Sequence, residues 1–123
     1  MKVIIVKKVS IVLATYKPNL IFFEKLLNSL NKQSYANIEL IVRDDSADEP
    51  TFLYISEMLK NFITNFSYTI YKNNRNFGSN KTFELLTMDA QGEYIAYCDQ
   101  DDIWEEDKIS KLVEHIENED AVL

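Results

Sequence analysis

The 123-residue sequence holds one cysteine, one histidine, two glycines and two prolines. A single cysteine, Cys98, excludes an internal disulfide framework and any cysteine-rich zinc module. A single histidine, His115, excludes a histidine-rich metal site and leaves only one candidate base for a serine-type triad. So little glycine and proline excludes collagen-like and linker-like chains, and 7 Phe with 7 Tyr exclude disorder. Basic residues are also short, 13 against 20 acidic, for a net charge of −7. That balance argues against a nucleic-acid surface or an anionic membrane surface. It leaves room for a small anionic ligand at a local site. No apolar run approaches the ~20 residues that span a bilayer. Val3-Ile4-Ile5-Val6, flanked by Lys2, Lys7 and Lys8, falls short of the roughly 7–15 residues of a signal-peptide core. The expectation is a reduced, cytoplasmic protein with no membrane span.

What is present is one domain's worth of core: 46% of residues are hydrophobic. A chain of this length buries about two-thirds of its unfolded surface. Residues 1–8 read as a lead-in or an extra edge strand. From residue 9 on, short apolar runs alternate with helical stripes. Val9-Ser10-Ile11-Val12-Leu13-Ala14 reads as a strand buried on both faces. Pro18 reads as part of a first helical turn, and Phe23, Leu26, Leu27 and Leu30 form one helix face. Strands are expected at 38–42, 68–71 and 94–98. Helices are expected around Phe52, Ile55, Leu59 and Phe62, then after Gly78, then around Ile109, Leu112, Val113 and Ile116. This order predicts βαβ units, a mainly parallel sheet and helices on both faces. Asp120-Ala121-Val122-Leu123 reads as the start of another buried strand, so the chain is expected to be a piece of a longer protein.

In open α/β sheets ligands bind beyond the carboxyl ends of the strands. Four polar clusters fall there: Thr15-Tyr16-Lys17, Arg43-Asp44-Asp45-Ser46, Asn73 to Asn76 with Gly78 and Asn80, and Asp99-Gln100-Asp101-Asp102. The last is the sharpest, because three carboxylates in four residues repel one another unless a cation or solvent screens them. Mg²⁺ or Mn²⁺ suits such oxygens and keeps positions open for substrate phosphates. A helix-loop-helix calcium loop does not fit, since Trp104 and Ser110 stand where Gly and Glu are needed. Asp102 reads as the cap of the fourth helix, with Glu105 completing a capping box, which leaves Asp99 and Asp101 for a metal. Asp44-Asp45 reads equally as a turn or as carboxylates that take hydrogen bonds from a base or ribose. Asn76-Phe77-Gly78 is either a plain turn or a place where backbone N–H groups and Arg75 approach a diphosphate. Cys98 reads as a core residue, Trp104 as an apolar anchor, and His115 as lying away from the polar edge.

Together these segments resemble a known family. Val9 to Tyr16, Ile41-Val42-Arg43-Asp44-Asp45-Ser46, Asn76-Phe77-Gly78, and Gly92 through Trp104 with Lys108 are similar, in order and spacing, to the amino-terminal half of glycosyltransferase family 2. The Asp-Gln-Asp-Asp-Ile-Trp run resembles its bacterial rhamnosyltransferase-like branch. The resemblance implies a GT-A, Rossmann-like fold over residues 9–123, truncated relative to the family. It implies inverting transfer of a sugar from a UDP- or dTDP-linked donor to a saccharide or lipid-linked acceptor hydroxyl, in bacterial surface polysaccharide synthesis. Thr15 and Tyr16 would line the base pocket. Asp45, with Asp44 as second choice, would bind the base, and Arg75, Asn76 and Gly78 the diphosphate. Asp99 would face ribose or sugar, and Asp101, helped by Asp99, would hold Mg²⁺ or Mn²⁺. Glu106 departs from the proline common in that branch. The family's catalytic base lies in the carboxyl-terminal half, so it is expected beyond Leu123, and this piece alone is expected to be inactive. Self-association through uncovered sheet surface and a place at the cytoplasmic face of a membrane follow as expectations. A phospho-acceptor receiver domain fails, because the first strand ends in Thr15-Tyr16 and the third in Lys72-Asn73. A non-catalytic nucleotide-binding or interaction module remains the alternative.

Overall fold

The computed structural model describes residues 5–122. Four strands and four helices alternate in the order β1 Val9–Thr15, α1 Leu20–Asn31, β2 Ile38–Asp44, α2 Glu49–Phe62, β3 Ser67–Lys72, α3 Ser79–Asp89, β4 Tyr94–Asp99 and α4 Lys108–Val122. All strand pairs are parallel, in the spatial order β3-β2-β1-β4. The most apolar strand, β1, therefore sits inside the sheet, where both its faces are covered.

Alternate side chains of β1 serve the two faces. Val9, Ile11 and Leu13 join a large core with Phe23, Leu26, Leu27 and Leu30 of α1, Ile55, Met58 and Leu59 of α2, and Ile109 and Val113 of α4. Val12 turns the other way and packs with Ile41 and Leu86, against Ala14, Phe83 and Ala90. Three helices thus cover one face and α3 the other. Each fully buried Leu or Phe of α1 contributes about 1.5–3 kcal/mol of transfer free energy.

Local signals set the helix starts. The Asn19 side chain accepts from Ile21 N–H and Phe22 N–H and caps α1. Pro18 therefore lies just outside the helix and not in its first turn. The Asp48 carboxylate caps α2, and hydrogen bonds from Thr51 hold its acid below the usual carboxylate range. The fourth helix departs from expectation at both ends. Its first turn begins at Lys108, so Asp102 and Glu105 form no capping box. Its last residues take in Asp120, Ala121 and Val122, which do not start a strand. No glycine or proline interrupts the run from Lys108, so the helix propagates through Val122. Leu123, the last residue of the expected strand, lies outside the described residues. Of the lead-in, residues 1–4 lie outside the described residues. Residues 5–8 form no strand; Tyr35 Oη and Asn37 Nδ2 donate to the carbonyls of Lys7 and Val6.

Gly92, at the amino edge of the sheet, packs where no side chain fits. A Cβ there would stand 2.7 Å from Ser10 N and 2.8 Å from the Lys8 carbonyl oxygen. Gly92→Ala should cost about 1–3 kcal/mol by this overlap, read as a lower urea midpoint at unchanged slope.

Candidate active site at the carboxyl edge of the sheet

The register sets the site. Thr15 pairs with Asp44 and Ala14 with Asp99, so β1, β2 and β4 end level on one edge. There a cleft of about 560 Å³ opens, a size ordinary for a small-molecule site. Thr15, Tyr16, Asp45, Asn76, Gly78, Asp99 and Asp101 line it, together with Gln100 and Asp102. Four separate stretches of sequence thus meet in one place. The amino-terminal half of α3 adds Ser79, Thr82 and Phe83, which sequence reasoning missed. Their signal was their place just after Gly78, at a helix start facing the sheet edge.

Two expected residues fall outside the lining. Asp44 is fully buried and supports the wall from behind. It accepts from Thr15 Oγ1 at 3.2 Å, Ser46 N at 3.2 Å and Ser46 Oγ at 2.7 Å. Arg75 is exposed, with its guanidinium over the Phe77 ring. Asp45 does line the cleft, but it is 4% exposed and its oxygens are engaged. Oδ1 accepts from Asn73 Nδ2 at 2.8 Å and Phe77 N at 2.7 Å, and Oδ2 from Gly78 N at 3.0 Å. Asn73 in turn donates to Thr82 Oγ1, whose hydroxyl donates to the Gly78 carbonyl. This network holds Gly78 at φ 86, a left-handed value natural to glycine. Asp45 is thus a latch for the loop that leads into α3.

The acidic turn is built differently. Asp102 N–H closes it onto the Asp99 carbonyl at 3.2 Å. The Asp99, Asp101 and Asp102 side chains are exposed, and none has a hydrogen bond or ion pair within the described residues. Among the described residues no three His, Cys, Asp or Glu side chains form a metal cage. The donor set nonetheless fits Mg²⁺ or Mn²⁺: uncompensated carboxylates leave most of the coordination sphere to a phosphate and water. Beside this turn Cys98 is fully buried, and burial pushes its thiol up to about 12. Trp104 is buried as an anchor beneath Lys108, and His115 lies along a separate groove with them, away from the cleft.

Residues 10–123 match the family model described as Glycosyl transferase family 2. The chain is 33% identical over 111 residues to the UDP-Glc:alpha-D-GlcNAc-diphosphoundecaprenol beta-1,3-glucosyltransferase WfaP of Escherichia coli, covering 90% of this chain and 42% of that one. It is 32% identical over 99 residues to the amylovoran biosynthesis glycosyltransferase AmsB of Erwinia amylovora, covering 76% and 32%. Among solved structures, residues 1–349 of S. aureus TarS in complex with UDP-GlcNAc match with a TM-score of 0.76 and 26% identity, over 90% of this chain and 31% of that one. The architecture is that of the GT-A fold. The chain spans less than half the length of these relatives.

Two outcomes follow. Asp45→Ala strands three buried or half-buried donors and should lower stability by about 2–3 kcal/mol in urea unfolding. Asp45→Asn should rescue only part of it: an amide oxygen at the Oδ1 position keeps the bonds from Asn73 Nδ2 and Phe77 N–H, while the amide nitrogen would meet Gly78 N–H. For Cys98, the folded thiol stays protonated where the unfolded one ionises. Its stabilising effect should be complete below pH 9.0 and lost as pH rises toward about 12, at about 1 kcal/mol per pH unit. Urea unfolding at pH 8 and pH 10.5 should show that slope, and Cys98→Ala should remove it.

Proposed function

Because the chain belongs to glycosyltransferase family 2, we propose that its cleft holds the nucleoside diphosphate of a sugar donor, as part of an inverting glycosyltransferase. The observation that carries this is the pairing, across one cleft, of a neutral wall with an acidic turn. Thr15, Tyr16 and Asn76 form the wall, and three unpartnered carboxylates form the turn. An anionic diphosphate gains nothing from bare carboxylates. A divalent cation between them would turn their repulsion into attraction.

In this reading Tyr16 and Thr15 flank the base. The ring of Tyr16 is about half exposed, with the Lys17 ammonium 5.6 Å from its centroid, and offers a stacking face. Asp99 would face ribose or sugar. Asp101, with Asp99, would hold Mg²⁺ or Mn²⁺, which when bound supplies Lewis-acid neutralisation of the departing diphosphate. The N–H groups of Phe77 and Gly78 are taken by Asp45, so the diphosphate would meet Ser79 and Asn76 at the start of α3. In the reaction the bond from the anomeric carbon to the diphosphate oxygen breaks and a bond to the acceptor oxygen forms. The acceptor proton would pass to a base expected beyond Leu123, since in this reading the cleft carboxylates serve the donor side. WfaP is named for UDP-Glc and a diphosphoundecaprenol-linked acceptor, and TarS was solved with UDP-GlcNAc. Both favour a uridine donor, the name of WfaP favours a lipid-linked saccharide acceptor, and that of AmsB, an amylovoran biosynthesis enzyme, favours a role in bacterial surface polysaccharide synthesis.

Calorimetry with UDP and dTDP, with and without Mn²⁺, tests the reading. Mn²⁺ should tighten UDP binding at least about tenfold, and Asp101→Asn should abolish that gain while the Mn²⁺-free affinity persists. Equal affinity in every condition would overturn it. The isolated chain should transfer no sugar, and turnover by it would show that the base lies within these residues.

A further inference from the structure

The acidic turn carries one uncharged side chain, Gln100, and it is turned back onto β1. Its Oε1 accepts from Tyr16 N–H at 2.8 Å, and its Nε2 donates to the Tyr16 carbonyl at 3.1 Å. The β1–β4 ladder ends at the pair Ala14↔Asp99, and β4 leaves the sheet at Gln100. The side-chain amide therefore gives Tyr16 the donor and the acceptor that the two peptide groups flanking a further β4 residue would have given. The main chain is left free to turn and present Asp99 and Asp101. A carboxamide carries both functions side by side on one planar group without charge. The tied residue precedes Lys17, whose φ of 43 is a left-handed conformation costly for a side chain of its size. The Thr15-to-Lys17 loop is thus held in a shape that it would not adopt by local preference.

We propose that Gln100 is a positioning residue that ties the Tyr16 wall to the acidic turn, so that the two ends of the cleft keep a fixed separation. The inference rests on the reading of the cleft as a nucleoside-diphosphate site, whose base and phosphates would meet those two ends. Tyr16 and Asp101 stand on different loops, and both are exposed. Untied, each loop has to be ordered by the ligand, and that entropy is subtracted from affinity. Tied, they are ordered before the ligand arrives. Gln100 needs no contact with the reacting atoms; it acts through Tyr16.

Three measurements on the 123-residue chain test this: amide hydrogen exchange of Tyr16 and of the β1 and β2 core without ligand, UDP affinity with and without Mn²⁺, and the melting temperature. Gln100→Ala should speed Tyr16 exchange about five- to tenfold. It should weaken UDP by about the same factor, equally with and without Mn²⁺, lower the melting temperature by no more than about a few degrees, and leave exchange in the β1 and β2 core unchanged. Gln100→Glu keeps the acceptor for Tyr16 N–H and should keep Tyr16 protected. Gln100→Asn carries the same amide on a shorter stem and should behave like Gln100→Ala. Asp101→Asn should differ from all of these by losing only the Mn²⁺-dependent part. Unchanged Tyr16 exchange in Gln100→Ala would overturn the tie. Equal UDP affinity of wild type and Gln100→Ala, or a loss accompanied by faster exchange throughout the β1 and β2 core, would overturn the positioning role. If the wild-type chain binds no UDP at all, the nucleotide reading falls, and Tyr16 exchange alone still decides the tie.

Discussion

Two polar pairs lock the register of a sheet whose apolar content cannot choose one. In β1 nearly every side chain is apolar and buried on one face or the other, so hydrophobic burial alone does not penalise a slip by one residue. Ser10 and Thr15 are the exceptions, and both are almost fully buried. Each faces its own register partner on β2: Ser10 Oγ donates to Glu39 and Thr15 Oγ1 to Asp44. A slip would strand both hydroxyls and a fully buried carboxylate, at a cost of about 1–3 kcal/mol for each neutral group and more for the charge. Because the strands end level, the polar residues that follow them meet on one edge. The cleft is therefore a consequence of register, and register is a consequence of two hydroxyls.

The carboxylates at that edge divide into two kinds, and solvent exposure tells them apart. Asp44 and Asp45 are buried and accept three hydrogen bonds each. Such groups shape the backbone, since a buried charge persists only when its oxygens are occupied. Asp99, Asp101 and Asp102 are exposed and have no partner within the described residues. Water screens them when no ligand is present, and they remain available. The Asp-Asp and Asp-Gln-Asp-Asp runs look alike in sequence, yet one acts on the protein and the other on what enters the cleft.

That distinction marks where sequence reading stops. The alternation of buried runs and helical stripes was legible because each element is long enough to carry a period, and the gathering of four polar clusters followed from parallel topology. The direction in which a single carboxylate faces was not. Asp45 reads as a group for the base; it does line the cleft, and the structure adds a second role that the sequence does not show, since its oxygens also accept from Asn73, Phe77 and Gly78. Asp102 looked like a cap because capping residues and ligand-facing residues are chemically the same. Only the start of α4 at Lys108 separates the two roles. Gln100 attracted no role, because a carboxamide between aspartates gives no sign of facing a backbone 84 residues away. The tail after Asn118 was misread for the opposite reason. Three apolar letters suggest a strand, but helix propagation from Lys108 is cooperative and needs no apolar face to continue.

The helix behind the cleft shows how the remaining polar residues serve this edge. Among the residues of α3 only Thr82 and Leu86 are buried, too little apolar contact to fix a helix by burial alone. Arg43 of β2 and Asp45, the residue after its end, supply what is missing, on the face that carries Ile41. At the amino end, Asp45 takes the N–H groups of Phe77 and Gly78, placing a carboxylate at the positive end of the helix dipole. At the other end stands Asp89, an acid where the dipole disfavours one. Arg43 meets it at 2.7 Å with its guanidinium stacked on Tyr71, so the unfavourable charge becomes the second clamp. Between the clamps Phe83 packs edge-on against Tyr97 of β4, with ring centroids 5.7 Å apart, and faces the cleft. That ring is thus framed by Arg43 near the end of β2 and Asp45 just beyond it, together with its packing beside Val12, Ile41 and Leu86, so charge and burial jointly shape the cleft floor.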